Sequence, residues 1–137
     1  MMPLQSVFLI RLSLLWLLLS TLAGAILLVH KAYGIHPSTW LLLPLHFEMA
    51  IWGWMVQLVI GTAYWMFPRF LRSDIRGPEL PAWILVILFN SGLVMILSGH
   101  LFTSIPGLIF SGRFFLLTGI GIFIYLIWAR VISYRNV

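Results

Sequence analysis

Four apolar runs, at roughly 9–29, 40–67, 82–100 and 107–129, constrain this chain more than any other feature. Each is long enough to cross the ~30 Å hydrocarbon core of a bilayer as a helix. Of the 137 residues, 62% are hydrophobic and only 8% charged. A water-soluble domain of this size has too little interior to hide that much apolar surface. The expected class is an all-α membrane protein, one domain over residues 1–137, with the lipid bilayer as its first partner. Turn chemistry separates the runs at Gly34-Ile35-His36-Pro37, Arg76-Gly77-Pro78 and Pro106-Gly107. The connections at 30–39 and 101–106 are short, and short connections force neighbours to run antiparallel. The predicted architecture is an antiparallel four-transmembrane-helix bundle.

The net charge of +5 does not point to nucleic acid, because the basic residues are spread over turns and ends. Arg11, Arg69, Arg72, Arg76, Arg130 and Arg135 fall on one side of such a bundle, and Lys31 on the other. Positive charge accumulates on the cytoplasmic side, so both termini and the 68–81 loop are expected there. The corresponding location is a bacterial or archaeal plasma membrane. The first run contains Ala23-Gly24-Ala25, which a signal peptidase could cut. Its apolar stretch is longer than a usual signal core, so it reads as a retained helix. The absence of cysteine excludes disulfides, thiolate metal sites and covalent c-type heme attachment.

Polar groups inside apolar runs cost free energy unless they are paired or bound. The segment LHFEMAIWGWMVQLVIGTAYWMFPRF carries His46, Glu48 and Gln57. At 1.5 Å per residue, His46 lies ~31 Å and Glu48 ~28 Å above Phe67. On the same count His100 lies ~28 Å above Pro81, Arg113 ~26 Å above Arg130, and His30 ~28 Å above Arg11. Four helices thus bring His30, His46, Glu48, His100 and Arg113 to one level, expected near the outer face.

On an α-helical wheel, His46, Ala50, Gly53, Gln57 and Tyr64 share a face, with Gly61 beside them. Glu48 points almost the opposite way, where Arg113 is the partner of matched height and opposite sign. That pair is either a structural clamp or a means of holding an anionic group such as a heme propionate. Ala50 and Gly53 either let a neighbouring helix approach closely or clear room for a flat macrocycle ligated by His46. A hydrogen bond between helices would satisfy the imidazole equally well.

Several of these residues form a pattern with a known counterpart. His46, Gly53-Trp54, Gly61, Tyr64-Trp65, Phe67-Pro68-Arg69 and, in the third run, Phe89-Asn90-Ser91-Gly92 resemble the second and third helices of heme-copper oxidase subunit I. The likeness is to the branch of cbb3-type oxidases and nitric oxide reductases, and it suggests a stand-alone version of the first four helices. It implies that His46 is an axial ligand of a b-type heme in an electron-transfer or accessory protein of a respiratory chain. The family's second axial ligand, high-spin heme ligand and copper histidines lie on later helices. A complete reductase and a copper site are therefore not expected here. A second heme ligand would come from His100, His30 or His36, or from another chain. A cofactor-free accessory subunit, and a gas or quinone sensor, are the competing expectations.

The remaining features are more ordinary. Lys31, Tyr33 and His36 suit interfacial anchoring, and most of the tryptophans suit an interfacial belt or packing. Gly112, Gly119 and Gly121 predict a close helix contact, within the chain or across a homodimer. Asp74 and Glu79 read as solvated charge. No nucleophile with a base, phosphate-binding glycine loop or carboxylate dyad is visible.

Overall fold

The computed structural model describes residues 1–67, 78–102, 105 and 107–135, with backbone alone at 129 and 132–135. Among these residues there is no strand. Four helices are long and apolar enough to cross a membrane: Leu4–Tyr33, Pro37–Met66, Glu79–Leu101 and Gly107–Trp128. Arg69, Arg72, Asp74 and Arg76, on which the expected placement of the 68–81 loop rests, lie outside the described residues. So do Pro68 and Arg69 of the family-like motif, and Gly77 and Pro106 of the predicted turns.

Helix α1 spans Leu4–Tyr33 and buries Ser6, Leu9, Ser13, Ser20, Ala23, Leu27 and His30. That three- and four-residue rhythm is one helical face, and its small members allow close approach of a neighbour. The Ser13 hydroxyl satisfies itself by donating to the Ile10 carbonyl at 2.8 Å. Gly34 stops the helix in a left-handed conformation, φ 63°, and its N–H closes on the His30 carbonyl at 2.7 Å. Glycine bears that conformation without a Cβ clash.

The second span is not one regular helix. A 3-10 turn, Pro37–Leu41, leads into α2, Leu42–Glu48. A π-helical stretch covers Met49–Val56, and α3 runs from Gln57 to Met66. The wider i→i+5 turns delay the rotation of everything that follows. The face predicted from a constant α-helical period is only partly kept. His46, Gln57 and Gly61 meet α1, Gly53 lies between α1 and the third span, and Tyr64 meets the fourth.

The third and fourth spans are α4, Glu79–Leu101, and α5, Gly107–Arg135. Their backbones touch: a methyl group at Gly112 would lie 2.6 Å from the Gly92 carbonyl oxygen. Gly119 packs on Phe89 and Leu85, whereas Gly121 faces open space. The glycine-rich contact expected on this helix thus lies within the chain. Buried Leu9, Ile60, Leu85, Phe89, Leu93 and Leu116 draw α1, α3, α4 and α5 into one core. Helix α4 is the most enclosed span, 44% buried along its most apolar window, against 17% for α5.

Candidate functional site

His46 turns toward α1 and is half-buried. Its Nδ1 lies 2.8 Å from the Ser20 carbonyl oxygen, and the Ser20 hydroxyl donates back to the His46 carbonyl at 3.0 Å. A carbonyl can only accept, so the Nδ1 of the neutral ring carries the hydrogen. That assignment leaves a lone pair on Nε2, which has no hydrogen-bond partner among the described residues. Histidines that bind metals are commonly oriented in this way, through a backbone carbonyl on the other nitrogen.

Gly24 gives the ring its room. A methyl group there would lie 2.9 Å from Cε1 and 3.1 Å from Nδ1 of His46. The ring lines a groove of about 640 Å³ between α1 and α2, together with Thr21, Gly24, Ala25, Leu28, Lys31, Trp40, Leu43 and Phe47. Ligand clefts commonly occupy about 300–1,000 Å³. The groove is apolar apart from His46, Thr21 and Lys31, and most of its lining residues are exposed on the lateral surface.

Gly53 does not clear such a space. A methyl group there would lie 2.7 Å from Trp16 Cγ and 2.9 Å from a methyl of Leu93. The residue serves the close approach of helices, and the open volume lies beside Gly24 instead. The π-helical stretch that carries Gly53 between α1 and α4 explains the difference.

The other histidines do not gather around His46. His30 is buried, accepts the His36 N–H through Nδ1 at 3.4 Å and meets the Trp40 ring edge-on at 5.2 Å. It follows Gly24 by six residues, about 9 Å further along α1. His36 caps the 3-10 turn, where its Nδ1 accepts the Ser38 N–H at 3.3 Å. His100 belongs to a separate cluster. No group of three potential metal-ligating residues occurs among the described residues. His30 makes its contacts with His36 and Trp40, and His100 with Glu48.

That separate cluster contains Glu48, which is buried and faces away from His46 as its helical position requires. Arg113 Nη2 donates to Glu48 Oε1, and His100 Nε2 lies 3.6 Å from the same oxygen. The Arg113 guanidinium also lies 5.9 Å from the centre of the Trp52 ring. The level predicted from helix rise is thus realised for Glu48, His100 and Arg113, joining α2, α4 and α5. Arg113 acts as the clamp and not as a partner for a group bound at His46.

Three contacts were not anticipated from the sequence. Ser20 is the anchor of His46, and its signal was the seven-residue recurrence of Ser6, Ser13 and Ser20. Trp16 Nε1 donates to Asn90 Oδ1 at 3.3 Å and ties α1 to α4, with no signal in the sequence. Arg130 is fully buried, donates to the Tyr64 carbonyl at 3.1 Å and stacks 4.4 Å over the Tyr64 ring. Its signal was Pro68, which has no N–H for the carbonyl four residues earlier.

Comparison with protein-family models, curated proteins and solved structures found no match to this chain. The reading of the site therefore rests on its own geometry.

Proposed function

We propose that the chain is an antiparallel four-helix bundle of a bacterial or archaeal plasma membrane, with both termini cytoplasmic, that binds a b-type heme through His46. Its role is electron transfer, or accessory service to a respiratory complex. The observation that carries the reading is the Nδ1 contact to the Ser20 carbonyl at 2.8 Å, which presents Nε2 as a neutral donor on a groove-lining side chain. The antiparallel arrangement is supported by the pairs Leu9–Gln57, Trp16–Gly53 and Ser20–His46, which climb α1 while descending the second span.

The residues present could hold such a group through a single imidazole. His46 would ligate, Gly24 and Ala25 would let a flat ring approach, Trp40 and Phe47 would flank it, and Lys31 would meet an acidic substituent. Bound there, a heme supplies one-electron chemistry. The protein contributes the fixed tautomer and an apolar wall that excludes water. His30, His36 and His100 make their contacts elsewhere, so a second ligand, if required, would be supplied from outside this chain.

Protein made in heme-replete cells should purify with a Soret band, and His46→Ala should lose it while keeping its helical circular dichroism. A colourless wild-type protein ends the proposal. Binding of carbon monoxide to the reduced protein would identify an open position, as a gas sensor requires. A cofactor-free subunit is the second reading, favoured by the reciprocal Ser20–His46 bonds, which join two spans without any ligand. It predicts a colourless protein that co-purifies with a larger complex.

A further inference from the structure

Helix α1 buries Ser6, Leu9, Ser13 and Ser20, and Arg11 lies on the opposite side of that helix, among exposed Leu4, Leu15, Leu18 and Leu22. Two neighbouring spans fix its depth. A methyl group at Gly61 would lie 2.9 Å from Leu9 and 3.1 Å from Ile10. Gly61 precedes Phe67 by six residues, so Arg11 lies ~9 Å or more inside that end of the second span. On the other flank, Phe8 meets the Trp83 ring edge-on at 5.5 Å, and Trp83 stands four residues after Glu79, where α4 begins. Arg11 is one turn further in.

The guanidinium has no hydrogen bond or ion pair among the described residues. An exposed charge at that depth is costly, and arginine does not shed its charge. Long basic side chains meet this cost by extending to the polar boundary. The backbone aims Arg11 the right way. Cα–Cβ bonds tilt toward the N-terminus of a helix, and the N-terminus of α1 lies at the nearer boundary.

We propose that Arg11 binds the phosphate of an anionic phospholipid, in the leaflet at the end of the bundle where α1 begins. The guanidinium fork matches two phosphate oxygens, and its charge is complementary to a headgroup of net negative charge. A zwitterionic headgroup carries its own cation beside the phosphate and gains less. The acyl chains lie along Leu15, Leu18 and Leu22, deeper on the same face. Phe8 against Trp83 forms an apolar shelf at the boundary, where aromatic rings commonly collect. A free phosphate ion would make none of these apolar contacts. The site lies ~20 Å along α1 from Gly24, so it is independent of anything bound at His46.

Full-length protein reconstituted in phosphatidylcholine tests the proposal, with spin-labelled phosphatidylglycerol or spin-labelled phosphatidylcholine as the probe. The readout is the fraction of label immobilised on the protein. The wild type should select phosphatidylglycerol, and Arg11→Gln should lower that selectivity about fivefold, the order of effect of one basic residue at an anionic surface. Arg11→Lys should keep most of it, because the charge remains and only the two-pronged contact is lost. Equal selectivity in the wild type and Arg11→Gln would overturn the proposal. So would release of the label by inorganic phosphate beyond that caused by chloride at equal ionic strength, which would assign the contact to a free anion. Arg11 is exposed and joins no spans, so both variants should keep the wild-type helical circular dichroism. Its loss in Arg11→Gln would also overturn the proposal, by showing that Arg11 holds the bundle together.

Discussion

His46 and Glu48 stand two residues apart on α2 and meet opposite halves of the molecule. His46 faces α1 across an open groove, anchored through one nitrogen with the other left available. Glu48 faces α4 and α5 in an enclosed cluster where its charge is met by Arg113. Both residues are polar and sit at nearly the same depth, yet one environment offers access and the other offers compensation. An imidazole can remain neutral, so it tolerates an apolar groove. A carboxylate that remains ionised needs a cation beside it. The difference places an open groove on one side of α2 and an ion pair on the other.

Removing the cation should break the comparison most severely. Arg113→Met leaves Glu48 enclosed with only His100 nearby, and uncompensated buried charge costs about 3 kcal/mol or more. Thermal denaturation in detergent should show this as the largest loss of the set. Glu48→Gln should cost less, because the Arg113 side chain is 40% exposed and can turn to water. An equal loss in the two variants would show that the clamp is not asymmetric.

The open side should respond to shape before charge. Gly24→Val places a branched side chain where a methyl already meets the His46 ring at 2.9 Å, an overpacking cost of about 2 kcal/mol. It should also displace the ring from Ser20 and abolish any heme absorbance, which spectroscopy reads directly. Retention of an unaltered spectrum would show that the groove beside Gly24 is not the binding slot. Ser20→Ala keeps the carbonyl that receives Nδ1 and removes only the hydroxyl, for about 1 kcal/mol and no spectral change.

Gly121→Ala provides the smallest effect. Nothing lies within 4 Å of the added methyl, and alanine is the better helix former, so stability should rise by up to about 1 kcal/mol. The same change at Gly112, 2.6 Å from the Gly92 carbonyl, should be clearly destabilising. A loss at Gly121 comparable to that at Gly112 would place another helix against it, as a homodimer requires.

The spans were legible because lipid-crossing helices announce themselves by length and apolarity, with tertiary contacts adding little to that signal. The Glu48–Arg113 pairing was legible for a related reason. Helix rise is constant enough to compare depths across spans, and opposite charges in an apolar layer have few alternatives. The place of Gly53 between α1 and α4 was not legible, because eight residues from Met49 to Val56 adopt a π-helical winding. Nothing in those residue types specifies that winding in advance.

Residue order by itself determined four apolar helices, a polar layer at one level and the opposed directions of His46 and Glu48. Only the tertiary structure decided that Ser20 fixes the His46 ring, that the open space lies beside Gly24 and not Gly53, and that Arg130 caps the Tyr64 carbonyl. The division has a physical cause. Periodicity and polarity are properties of one helix, whereas a groove and an anchoring carbonyl exist only between two.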